Sequence, residues 1–215
     1  ESKGTMEADD YVLFYATGVD QWNEESLTYQ NLYADEAIYF LTYGQQQGLR
    51  ISNFVEPTAR EVATITEFDG KVFHEKDLVN IGKLGRKWFG EEFGIVNDQS
   101  FSLELMHLKT SEPVTFGVNT ASSSYGNTSF TYTINNRFAG AVTFFPIRSA
   151  TTKGYESFLE KEEYLSSPAV EVTLTYQNGG VPNSKGYLDY IEFFYTGNLL
   201  GGTKQYRFSN NKVKT

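Results

Sequence analysis

Apolar and polar residues alternate with period two through much of the second half of the chain. Phe101, Leu103, Leu105 and His107 share one side of such a run, and Ser102, Glu104 and Met106 the other. Val114, Phe116 and Val118 alternate with Thr115, Gly117 and Asn119. Phe130, Tyr132 and Ile134 alternate with Thr131 and Thr133, and Val170, Val172, Leu174 and Tyr176 with Glu171, Thr173 and Thr175. A strand turns successive side chains to opposite faces, so this pattern predicts antiparallel strands with one face on a core and one in water. Asn135-Asn136 and Asn178-Gly179-Gly180 follow two of these runs and read as turns. Several such strands at regular spacing predict an all-β chain, folded as an antiparallel β-sandwich of jelly-roll-like form.

The first half is less regular. Tyr11 to Tyr15 is an apolar run closed by Gly18, and Ala37 to Tyr43 is a second, ending in Gly44 and the polar stretch Gln45–Gly48. Both predict short buried strands. Arg60 to Phe68 alternates weakly and predicts a third strand, with Asp69-Gly70 as a turn. Tyr155 to Leu165 mixes charged and apolar residues and admits a short helix. The division expected is a β-rich N-terminal segment over 1–68, apart from the sandwich or part of it, and a sandwich domain over 69–215.

Composition supports strands and then narrows the chemistry. The 15 Tyr, 17 Phe and 19 Gly favour strands and turns over helices. A net charge of −9 argues against nucleic acid and against docking on anionic lipid, both of which need a basic face. The absence of cysteine rules out a thiol nucleophile and a thiolate metal site within these residues. No run of about 18 apolar residues exists to span a membrane. The chain opens on Glu1 and its first methionine is Met6, so the lack of a leader peptide at this end says nothing about export.

Candidate chemistry is sparse. His74 and His107 lie in separate segments and read as packing histidines, and neither HExxH nor GxSxG occurs. Glu91-Glu92, Asp189 and Glu192 read first as solvated charge, since paired-carboxylate chemistry needs a spacing that sequence does not display. Trp22, Trp88, Phe89, Tyr187 and Tyr190 suit either a sugar-stacking platform or packing, with packing preferred. Asn80 to Gly85 lacks the ending and the helix of a phosphate loop. No Asp/Asn cluster demands calcium, and no cofactor is expected.

Three segments, taken in order, carry more information than any one alone. They are Asp10 to Trp22 continued by Asn31 to Thr42, then Gly85-Arg86-Lys87-Trp88-Phe89-Gly90-Glu91-Glu92-Phe93, then Lys185-Gly186-Tyr187-Leu188-Asp189-Tyr190-Ile191-Glu192. Over about Asp10 to Phe208 the chain resembles the region ahead of the protease domain in the gingipain family of cysteine peptidases, most of all its type IX secretion sortase branch. That branch commonly reads Gly-Arg-Glu-Trp-Tyr-Gly-Glu in the middle segment, where this chain has Lys87 and Phe89. The resemblance implies a Bacteroidetes cell-surface, outer-membrane-associated parent whose nucleophilic Cys and His lie further along the polypeptide. No catalytic or metal residue carries over. Its implied partners are a downstream protease domain and outer-membrane secretion components.

Gly85, Arg86, Trp88, Phe89, Gly90 and Glu91 then read as a tight docking or ligand loop. Gly85 and Gly90 turn the backbone, Trp88 plugs the end of the sandwich, and Arg86 pairs with Glu91 or Glu192. Tyr187, Asp189, Tyr190 and Glu192 read as a surface strand. The function expected is a non-catalytic accessory domain of a secreted sortase. The alternative is a jelly-roll carbohydrate-binding module for a surface glycan such as lipopolysaccharide, and a carboxylate hydrolase ranks last.

Overall fold

The period-two runs become strands in the computed structural model. It describes residues 64–83, 87–201 and 208–213, together with residues 11, 14–21, 31, 34–42, 44 and 55. The strands are β1 (Glu67–Glu75), β2 (Glu92–Phe93), β3 (Asp98–Glu104), β4 (Val114–Ser123), β5 (Thr128–Ile134), β6 (Arg137–Phe144), β7 (Tyr155–Glu163), β8 (Ala169–Gln177) and β9 (Lys185–Asn198). A short 3-10 helix, Asn211–Val213, follows them. Two compact units divide the chain, Glu1–Thr58 and Ala59–Thr215, and all nine strands belong to the second.

The strands form two antiparallel sheets. One runs β1-β9-β4-β7, with β2 also paired to β9, and the other runs β3-β8-β5-β6. From β3 onward each strand lies in the sheet opposite its predecessor, except across the β5–β6 hairpin. That alternation is the jelly-roll connectivity, in which consecutive crossings wind one chain around both sheets.

The apolar sets legible on β4, β5 and β8 are all buried between the sheets. Each such side chain contributes roughly 1.5–3 kcal/mol on burial. Phe130 is the centre of the aromatic packing. Its ring lies 5.0 Å from Phe93, edge to face, and 4.9 Å from Tyr176. Two buried tyrosines bring hydroxyls into this core, and both hydroxyls are partnered. Tyr132 shares a hydrogen bond with Thr120 at 2.6 Å, and Tyr176 with Ser122 at 2.9 Å and with Ser184. Such pairing offsets the cost of burying a polar group. Burial raises the Tyr132 phenol well above its ordinary value, with the Thr120 bond acting in the opposite sense.

Turn chemistry matches its sequence signals. Asn135 and Asn136 take φ of 48° and 63°, the geometry that lets a two-residue turn follow the twist of β5 and β6. Gly179 and Gly180 also take positive φ, 62° and 76°.

Several expectations are corrected. Tyr155–Glu163 is a strand, not a helix. As a sheet edge paired only to β4, it buries little, and its Glu and Lys residues keep the open edge from recruiting another strand. Asp69-Gly70 is not a turn but lies inside β1, where a Cβ at Gly70 would overlap the Tyr195 ring. The strand expected over 60–68 begins only at Glu67, residues 60–63 lying outside the described set. His107 stands beyond the end of β3 in a left-handed turn, φ 57°.

In the first unit, the described residues of the Tyr11–Tyr15 and Ala37–Tyr43 runs form no strand and are exposed, Tyr11 at 82% and Phe40 at 89%. An apolar run supplies a face, but a strand also needs a neighbour's backbone, and no ladder includes these residues. Within this unit the Tyr39 hydroxyl donates to the Thr17 carbonyl at 2.6 Å and accepts from the Thr17 N–H at 2.8 Å. The turn expected at Gln45–Gly48 lies outside the described residues.

A Cβ on Gly186 would stand 2.6 Å from Cζ of Phe130 and 2.7 Å from Cδ2 of Tyr176. Gly186→Ala should therefore destabilise the protein by about 1–3 kcal/mol through overpacking. Urea unfolding measures it, and an unchanged midpoint would contradict the close approach.

Candidate functional site

The second and third distinctive segments meet along one side of β9. Glu92 and Phe93 pair with Tyr187 and Gly186. Just before them, the Gly90 N–H donates to the Leu188 carbonyl at 2.7 Å, and the Leu188 N–H donates to the Glu91 carbonyl at 3.0 Å. Phe89 exchanges backbone hydrogen bonds with Val79, both 2.8 Å, so residues 78–79 and 89 form an antiparallel bridge.

Gly90 does not serve positive φ. A Cβ there would stand 3.1 Å from the Lys76 carbonyl oxygen and 3.4 Å from that of Leu188, so the glycine is needed for close backbone approach. The expected anchor also shifts by one residue. Trp88 is 38% exposed, whereas Phe89 is 4% exposed and packs on Tyr187 with ring centroids 5.9 Å apart. Phe89, Ala121 and Tyr187, with Val79 and Ile81, form a hydrophobic cluster separate from the sandwich core. Gly85, Arg86 and Trp22 lie outside the described residues.

Tyr187, Asp189, Tyr190 and Glu192 are not a surface strand, because β9 is held between neighbours on both edges and all four are buried. A β-bulge sets their directions. Asn119 pairs with Tyr190 and Thr120 with Leu188, which leaves Asp189 as the extra residue. Leu188 and Ile191 remain on the core side, and Asp189 and Tyr190 both fall on the outer face of the five-stranded sheet.

A buried carboxylate needs partners. Asp189 accepts from Asn119 Nδ2 at 2.9 Å and pairs with Lys87 Nζ at 2.8 Å. Lys87 also reaches Glu156 at 3.3 Å. Burial raises the Asp189 carboxyl, and Glu156 and Asp77 add to this; Lys87 offsets part, leaving it at about 6. Burial likewise raises Asp77, against the opposing charge of Lys87. For Lys87 burial acts downward, but the Asp189 hydrogen bond and charge outweigh it and raise the ammonium. Thus Lys87 supplies the countercharge of Asp189. Phe89 sits where a phenol would have to be buried.

Glu91 has the opposite fate. Burial acts to raise its carboxyl, but hydrogen bonds from His74 and Lys76, both 3.0 Å, hold it at about 2. His74 also lies 4.8 Å from the Phe101 ring, so this network ties the Glu91 segment to β1. Glu192 pairs with Lys71 at 3.4 Å. Sequence reading missed Asn119, Glu156 and Asp77 as neighbours of Asp189. The one available signal was the unusual Lys87.

Between two loops lies a cavity of about 360 Å³. Ile81, Phe89 and Ala121 are its apolar lining, and Asn80, Lys87, Thr151, Lys153 and Glu156 supply polar groups. Among the described residues no group of three or more His, Asp or Glu side chains is arranged to hold a metal ion, and no helix is long and apolar enough to cross a membrane.

Phe89→Ala should cost about 3–5 kcal/mol and Trp88→Ala far less, a contrast that paired thermal melts would read. Equal losses would restore Trp88 as the anchor. Folded Asp189 holds its proton more tightly than the unfolded chain does. Folding therefore takes up a proton between the ordinary value of 3.8 and about 6, and this group's contribution to stability falls as pH rises through 6. Lys87→Met should cost on the order of 1–3 kcal/mol at pH 8, below a fully buried pair because the ammonium meets solvent. The deficit should shrink at pH 5, where Asp189 is protonated. A deficit independent of pH would place the effect in packing alone.

No protein-family model matches the chain, and no curated protein matches it. Among solved structures, the dimeric latent form of PorU from Porphyromonas gingivalis is similar, with a TM-score of 0.56 and 20% identity over 71% of this chain and 15% of PorU. The carbohydrate-binding module CBM36, in complex with calcium and xylotriose, gives a TM-score of 0.37 with 19% identity over 58% of this chain and 98% of its own. A CBM35 from Cellvibrio japonicus gives 0.35 with 13% identity over 66% and 99%. The latter two are too distant to carry a function or a site. The likeness to PorU shows the fold, and the chain spans only a small part of that protein's length.

Proposed function

We propose that this chain is a non-catalytic accessory β-domain of a secreted, cell-surface protein resembling the gingipain-like sortase PorU, working in type IX secretion. Its role is to support and position a peptidase domain encoded on the same polypeptide. The observation that carries this reading is the union of the two distinctive segments. Gly90, Glu91 and Glu92 run hydrogen-bonded along Leu188 and Tyr187, with Lys87 on Asp189. Residues that resemble the family in sequence therefore make one structural unit on a jelly roll.

The chemistry of the chain agrees. It has no cysteine to act as the nucleophile of that family. Asp189 and Glu156 are engaged by Lys87, and His74 is engaged by Glu91. Exposed apolar side chains on the sandwich, Ile95, Tyr125 and Phe145 among them, offer area for a neighbouring domain.

Sequencing the gene past the codon for Thr215 tests the proposal. The expected result is a continuing frame that encodes a peptidase domain with a Cys and a His. A stop codon at that point would overturn the accessory-domain reading.

A further inference from the structure

We propose that the end of the sandwich built from residues 94–97, 124–127, 145–154 and 178–184 inserts apolar side chains into the surface of a phospholipid bilayer. The inference stands apart from the accessory role, since it rests on these loops alone.

The four loops pack into one end of the sandwich. The Tyr176 N–H donates to the Asn97 carbonyl and the Ile147 N–H to that of Ser124, both at 2.8 Å. A Cβ on Gly126 would stand 2.5 Å from Cγ2 of Val181, and one on Gly94 would stand 3.5 Å from the Ser184 carbonyl oxygen, so neighbouring loops touch. Ile95 with Val96, Tyr125, and Phe145 project from three of them. Ile95 is fully exposed, Tyr125 is exposed at 82% and Phe145 at 76%. Such area suits a protein or a bilayer, and three observations favour the bilayer.

The first is shape. These side chains stand out from separate loop tips. A protein surface would need a matching pocket for each, whereas acyl chains close around any apolar side chain.

The second is charge. None of the residues in the four loops is Asp or Glu, although the chain has 27 of them. The charged side chains of the loops are Arg148 and Lys153, both exposed. Acids in the bordering strands are engaged: Glu92 by Lys185 at 2.6 Å, Asp98 by the Thr175 hydroxyl and Glu156 by Lys87. A carboxylate beside hydrocarbon loses its hydration, whereas a long basic side chain reaches back to the phosphate layer. Tyr125, with an apolar ring and a polar tip, suits the boundary between the two. The charge of −9 on the whole chain opposes adsorption by charge, so apolar burial supplies the attraction and the two cations set the orientation.

The third is access. β9 begins at this end with Lys185 and closes at Asn198 beside Glu67, on the order of 40 Å away at the rise of a strand. The chain enters β1 at that far end, and residues 208–213 are held there, with the Asp69 N–H on the Ser209 carbonyl at 2.7 Å. The backbone on both sides of the nine strands thus joins them away from the loop tips.

Cosedimentation of the full chain with phosphatidylcholine vesicles tests the assignment. The parent should pellet with the vesicles, and raising NaCl from about 0.1 M to about 0.5 M should not release it. The double variant Ile95→Asp, Phe145→Asp should partition at least about tenfold less. Both side chains are exposed, so this variant should melt as the parent does, and Leu200→Asp at the far end should bind as the parent does. Lipids brominated on their acyl chains should quench Phe145→Trp fluorescence beyond any quenching of the parent's Trp22 and Trp88. A parent that stays in the supernatant at millimolar lipid would overturn the proposal and return this end to a protein partner. Full binding by the double variant, release by salt, an equal loss in Leu200→Asp, or no added quenching in Phe145→Trp would each overturn it as well. None of these outcomes bears on whether a peptidase domain follows Thr215.

Discussion

The close approach of the Phe130 and Tyr176 rings to the backbone at Gly186 governs how the two sheets seat on one another. Phe130 and Tyr176 belong to one sheet and Gly186 to the other. A side chain at Gly186 would push the sheets apart at the end where Phe93 also enters, its ring 5.0 Å from Phe130. Packing at crystal-like density leaves no slack for such a shift. Because β9 pairs with β1, β2 and β4, an error at Gly186 would spread through the whole five-stranded sheet. The same strand carries the bulge that turns Asp189 outward, so core packing and the polar cluster depend on one register.

The two faces of that sheet solve burial of polar groups in different ways. On the inner face, hydroxyls pair with hydroxyls: Thr120 with Tyr132, and Ser122 with Thr128 and Tyr176. These bonds carry no charge, and burial raises the Tyr132 phenol above its ordinary value. On the outer face, carboxylates meet ammonium groups, as in Asp189 with Lys87 and Glu192 with Lys71. Asp189 and Glu91 are shifted in opposite directions because burial dominates one, and a His and a Lys converge on the other. Asp189 thus makes the outer face of that sheet responsive to pH.

The candidate site was only partly legible. Phe89 and Tyr187 stood out as aromatics in distinctive segments, but their contact requires β2 to lie beside β9, about 95 positions further along the chain. Asp189 was visible as a strand acid. A two-residue period places it opposite Tyr190, and only the bulge puts both on one face. Trp88 reads from the sequence as the anchor that plugs the sandwich end. The backbone bridge to Val79 determined otherwise, since it turns Phe89 onto the sheet and leaves Trp88 half in water.

The sequence by itself determined the strand character of β4, β5 and β8 and the inward side of each. Alternation is a local property, and a slip of one residue would bury Thr and expose Val, Phe and Tyr. It also determined the Asn135-Asn136 turn, since φ is positive at both positions and asparagine tolerates that region. Tertiary structure decided everything that depends on a neighbour's backbone. It made Asp69-Gly70 part of a strand, because Gly70 must admit the Tyr195 ring. It made the charged run Tyr155–Glu163 an edge strand, because β4 supplies one ladder and water the other side. It also withheld strand structure from the described residues of the apolar runs before Gly44, which have no ladder to join. Hydrophobic pattern selects a face, but hydrogen-bond partners distant in the chain select the element.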